Sequence, residues 1–162
     1  MSEKKILLEP DKFCHIFNRG INSMDIFFEN DNYEHFRRLY DKYIGSIADT
    51  YAKAINKRFG RTGALLESNF HRKPIEDIEY FKNVVIYIHN NPVHHRICKQ
   101  PIDYPWSSYL SCMSLKSTKL KRDKVIGWFD NKANFKLLNN DESFDFAKIN
   151  NFLFIGKKLK NL

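Results

Sequence analysis

The sequence predicts a mixed α+β fold on three observations. Residues 12–17 and the stretch 64–75 carry short runs of strand formers, residues 31–59 carry a helical apolar stripe, and residues 77–91 carry a second helical pattern. Strands and helices therefore alternate along one short chain.

The first strand, KFCHIF at 12–17, alternates weakly and stops at Asn18-Arg19-Gly20. Ile26-Phe27-Phe28 reads as a second short extended piece, and Asn30 or Asp31 as the N-cap of the helix that follows. At about 100° per residue, Phe36, Leu39, Tyr40, Tyr43, Ile47, Tyr51 and Ala54 fall within about 60° of one line. The stripe runs unbroken to the Gly60 stop signal, and Gly45 on the opposite face costs only about 1 kcal/mol. The pattern predicts one unusually long helix over 31–59, roughly 43 Å at about 1.5 Å per residue. The turn Arg61-Thr62-Gly63 leads to a strand within Ala64–Ile75. Pro74 and Glu76-Asp77 open a helix with a core face of Ile78, Phe81, Val85 and Ile88, which Pro92 ends.

Residues 101–112 read as loop and turn with an aromatic cluster. Beyond them comes a basic run (Lys116, Lys119, Lys121, Arg122, Lys124), then an apolar segment in which Val125, Ile126, Trp128 and Phe129 are expected to pack on the body. The Asn- and Asp-rich stretch 139–151 is expected to be mobile. The domain reading is thus 1–112 as the main body and 113–162 as a basic linker with a small C-terminal extension.

Lys and Arg total 27 against 19 Asp and Glu, a net charge of +8. This suits a polyanion such as nucleic acid, but charge alone does not separate that reading from an ordinary basic protein. Cys14, Cys98 and Cys112 are too few and scattered for a disulfide framework and suggest reduced thiols in the cytoplasm. The N-terminal apolar run is too short for a signal peptide, and no stretch approaches the roughly 18 apolar residues of a membrane span.

Four strings carry a resemblance: HIFNRGINSMDIFF at 15–28, NKRFGRTGALLESNFHRKPI at 56–75, YFKNVVIYIHNNPVHHRICKQP at 80–101 and DYPWSSY at 103–109. Their order and spacing resemble the REP-associated tyrosine transposases, relatives of the single-tyrosine insertion-sequence transposases. The resemblance covers roughly residues 12–110. It implies a ferredoxin-like α+β fold, usually dimeric. It also implies a chemistry in which a tyrosine hydroxyl attacks a phosphodiester of single-stranded DNA and forms a 5′-phosphotyrosyl link. A divalent metal (Mg²⁺ or Mn²⁺), held by a His-hydrophobic-His pair on a central strand, polarises the phosphate.

By motif position the nucleophile is Tyr87, at the edge of its helix's buried face, with Asn91 one turn on as a position that contributes to metal binding in the family. Asn18, Arg19, Arg58, Arg61, Thr62, His71, Arg72 and Lys73 are the expected phosphate contacts, and Phe70 and Tyr80 the expected stacking rings. Residue by residue, each also reads as an ordinary surface or core side chain.

The chain departs from the family at one point. Its histidines are His15, His35, His71, His89, His94 and His95, and no His-x-His pair exists. The segment that would carry the pair is missing between Tyr51-Ala52 and Lys53-Ala54, where the long helix is predicted. The resemblance therefore implies an internal deletion near 51–54, a truncated ferredoxin-like fold, no bound metal, and either a completing homodimer or marginal stability. Three readings follow: a DNA strand transferase, a non-catalytic module binding single-stranded or hairpin DNA, and a remnant with neither activity.

Overall fold

The computed structural model describes residues 12–42, 47–66, 71–147 and 149. Among them run strand β1 (Phe13–Phe17), helices α1 (Asn30–Lys42) and α2 (Ile47–Arg58), strand β2 (His71–Ile75), and helices α3 (Ile78–His94), α4 (Tyr109–Met113), α5 (Arg122–Trp128) and α6 (Lys132–Asn139). The α+β class expected from the sequence is present: six helices and a two-stranded antiparallel β1–β2 sheet. The chain divides between Pro74 and Ile75 into two compact units.

In the first unit, Gly20 bridges Leu66 antiparallel and the Ile21 N–H donates to the Leu65 carbonyl. A Cβ at Gly20 would stand 2.0 Å from the Met24 carbonyl oxygen, so only glycine fits. Ile26–Phe28 forms no strand; Ile26 and Phe27 instead pack on a core of Tyr51, Ile55 and Leu65. Burying such side chains stabilises by about 1.5–3 kcal/mol each. The enclosed Tyr51 hydroxyl donates to the Ile26 carbonyl at 2.8 Å, satisfying both groups.

The single helix over 31–59 is not what forms. On one straight helix Phe36 and Tyr51 would lie roughly 22 Å apart. Their rings stand 5.1 Å apart edge-to-face, and Phe27 meets both. The chain therefore folds back between α1 and α2, and the apolar stripe is two half-stripes facing each other. Thr50 and Tyr51 lie within α2. The side chains of Tyr40, Tyr43 and Ile47, and Gly45, lie outside the described residues. Gly60 does end α2: its φ is +61°, and the Arg61 N–H returns to the Asn56 carbonyl at 2.9 Å.

The second unit is built on α3. Asp77 caps it, accepting from the Tyr80 N–H at 2.6 Å. Pro92 does not end it but sits in its last turn, where its missing N–H leaves only the carbonyl of the exposed Ile88 without a helical partner. The helix stops at Arg96, whose φ is +59°. The Arg96 N–H donates to Val93 and the Ile97 N–H to Pro92, a Schellman closure without glycine.

Of the expected core face of α3, Val85 packs on the core and Phe81 meets Trp128, whereas Ile78 is 49% and Ile88 43% exposed. Ile86, His89 and Asn90 are buried instead, and a core of Ile86, Tyr109, Cys112, Phe129 and Phe135 forms beside them. Residues 122–139 form α5 and α6 of this same unit, so the stretch read as a linker and appendage supplies core. Val125, Ile126 and Trp128 pack on that core as expected, with Trp128 4.0 Å from the Phe81 ring. Within the stretch 139–151, expected to be mobile, Asn139 and Ile149 are buried, and residues 148, 150 and 151 lie outside the described residues. Residues 109–113, read as loop, form α4.

Among the described residues no helix is long and apolar enough to cross a membrane.

Candidate functional site

Tyr87 and Asn91 lie one turn apart on α3. Tyr87 is half-buried and meets the Phe146 ring at 5.8 Å; Phe146 in turn stacks on His94 at 4.3 Å. Burial raises the Tyr87 phenol above its ordinary value, and the Asn91 hydrogen bond partly offsets this. At neutral pH the hydroxyl is protonated, so a nucleophilic role requires a base or a cation beside it.

Between these two residues lies His89, which the sequence reading left without a role. It is buried, its Nδ1 2.7 Å from Asn139 Oδ1 and its Nε2 2.8 Å from Ser108 Oγ. The Asn139 amide nitrogen donates to the Phe135 carbonyl, which turns Oδ1 toward the imidazole. His89 Nδ1 therefore carries the proton, and Nε2 accepts from the Ser108 hydroxyl. Asn90 donates to the Asn139 and Ile86 carbonyls. Desolvation lowers the His89 pKa to about 4, against the upward pull of Asn139. Tyr109 and Phe135 enclose the ring edge-on. Connectivity alone resembles a serine–histidine–asparagine relay, but a histidine so enclosed cannot exchange protons with a substrate; it locks α3, α4 and α6 together. The available signal was the pair of asparagines ending α6, read there as marking a mobile stretch.

The expected phosphate contacts all lie in the first unit. Asn18 and Arg19 follow β1, with Asn18 Oδ1 accepting from the Arg19 N–H at 2.8 Å. His71, Arg72 and Lys73 lie on β2, where His71 stacks on Phe17 of β1 at 5.3 Å. Strand pairing sets the 71–73 run beside β1, whose end leads into Asn18 and Arg19. Arg58 pairs with Glu29 at 2.5 Å, and Thr62 is exposed in the turn beyond. Arg61 reaches Met24 Sδ at 3.1 Å and lies over the Phe28 ring. Tyr80 is half-buried in the first turn of α3, and Phe70 lies outside the described residues.

The donors beside Tyr87 do not fit a divalent metal. Asn91 is a neutral amide, and both His89 ring nitrogens are committed. The sequence contains no His-x-His, and among the described residues no three His, Cys, Asp or Glu side chains converge. Comparison of the chain with protein-family models, with curated proteins and with solved structures finds no match.

Proposed function

We propose that this chain binds single-stranded or hairpin DNA as a derivative of the single-tyrosine transposases, on a truncated ferredoxin-like frame, with strand transfer impaired. The placement of Tyr87 and Asn91 one turn apart on α3 supports the reading most, because these are the two residues that the Y-I-H-N-N-P string marks as functional. The net charge of +8 and the basic residues of the first unit supply the phosphate attraction that such binding needs. Tyr87 is the ancestral nucleophile of this reading. Without a cation beside it, a protonated phenol has little to drive attack on a phosphodiester.

The test is incubation with a hairpin-bearing single strand in Mg²⁺ or Mn²⁺, read on a denaturing gel. Salt-sensitive binding without a covalent protein–DNA band is the expected result. A covalent band that Tyr87→Phe abolishes would restore the full transferase, and no binding at low salt would leave a remnant. A homodimer that completes the truncated frame belongs to the same proposal, and light scattering at micromolar concentration tests it.

A further inference from the structure

We propose that Phe28 and Phe59 form a stacking platform for unpaired bases, flanked by the guanidinium groups of Arg58 and Arg61. The proposal rests on the single-strand reading above and names where such a strand would be gripped.

Four observations carry it. The two rings lie 5.0 Å apart, tilted by 41°, yet Phe28 is 44% and Phe59 39% exposed. A pair of phenyl rings in contact with each other and still facing solvent leaves apolar surface that a flat ligand would cover. The backbone beneath both rings is held in place: the Phe28 N–H donates to the buried Asn32 Oδ1 at 2.9 Å, and the Phe59 N–H closes the end of α2 on the Ile55 carbonyl at 3.0 Å. Stacking on fixed rings loses less conformational entropy than stacking on mobile ones.

Both rings carry a cation. The Arg58 guanidinium lies 5.9 Å from the Phe59 centroid and that of Arg61 lies 5.8 Å from the Phe28 centroid. Glu29 holds Arg58 in that position. Arg61 turns one guanidinium nitrogen onto Met24 Sδ at 3.1 Å and buries another, so its charge is fixed beside the Phe28 ring. Alternating rings and cations match a single strand, whose bases offer flat faces and whose backbone offers one negative charge per nucleotide. Duplex DNA keeps its bases stacked inside and offers only the charge.

The experiment compares two fluorescent oligomers of equal length and charge, one of thymidines and one of abasic residues, by anisotropy at fixed salt. The thymidine strand is expected to bind about tenfold tighter. Phe59→Ala should remove most of that difference, and Phe59→Trp should keep it. Iodouracil placed in the strand should crosslink to peptides containing Phe28 or Phe59. Equal affinity for the two oligomers would overturn the platform and leave the DNA-binding reading intact. Crosslinks confined to other peptides would do the same. Failure of both oligomers to bind would overturn the reading itself.

Discussion

Asn139 Oδ1 stands 2.7 Å from His89 Nδ1, although the two residues are separated by 50 positions. The contact joins the end of α6 to the centre of the helix that carries Tyr87. Asn139 also donates to the Phe135 carbonyl and accepts from Asn90 through its own backbone oxygen. Asn139→Ala therefore strands the His89 N–H in the interior. The expected loss is about 3 kcal/mol, seen as a lower urea midpoint at unchanged slope. A midpoint equal to that of the parent would show that the network does not hold the unit together.

The same histidine makes stability depend on pH with a definite sign. Its folded pKa of about 4 lies below the ordinary 6.5, so between those values the unfolded chain takes up a proton that the folded chain refuses. Stability is complete above pH 6.5, falls as pH drops toward 4, and levels off below. The loss attached to His89 is at most about 3 kcal/mol. His15, buried against the charge of Lys73 and also lowered to about 4, adds a fall of the same sign in the first unit. Thermal midpoints taken across this range should decline toward acid; a flat profile would contradict the burial of both rings.

Gly20→Ala should destabilise the first unit by about 1–3 kcal/mol, because the added methyl meets the Met24 carbonyl rather than a movable side chain. Denaturation followed by a probe in that unit would register it. Gly63, with open space around its Cβ but a φ of +84°, should respond to alanine through backbone strain alone, by about 1 kcal/mol.

Salt titration separates phosphate contacts from bystanders. Arg72→Ala and Lys73→Ala should each lower the slope of log affinity against log salt by about one. Asn18→Ala should leave the slope unchanged, because an amide releases no counterion. If neither charged substitution alters the slope, the β2 face does not meet the backbone of DNA.

Much of this was legible in the sequence, and the failures have definite causes. The alternation of 12–17 marked β1, and Pro74 with Glu76-Asp77 marked the start of α3. The α1–α2 fold-back was invisible because Phe36, Leu39 and Tyr51 keep the same 100° phase whether the helix continues or reverses. Periodicity measures angle, not direction. The buried face of α3 was misjudged because His89 and Asn90 count as polar in any hydrophobic pattern, although each is buried with its partners supplied from α6. The same partners made Asn139 look like part of a mobile stretch. Tyr87 and Asn91 were legible only through the Y-I-H-N-N-P string, since nothing in their spacing distinguishes them from a tyrosine and an asparagine on any helix.

A premature stop after α5 would leave every recognisable string in place and remove the amide on which His89 depends. Such a gene would read as intact while its product lacked a mainstay of the helix bearing the signature, and quality-control proteases would meet it first. Loss of stability can thus begin downstream of every string that carries the resemblance.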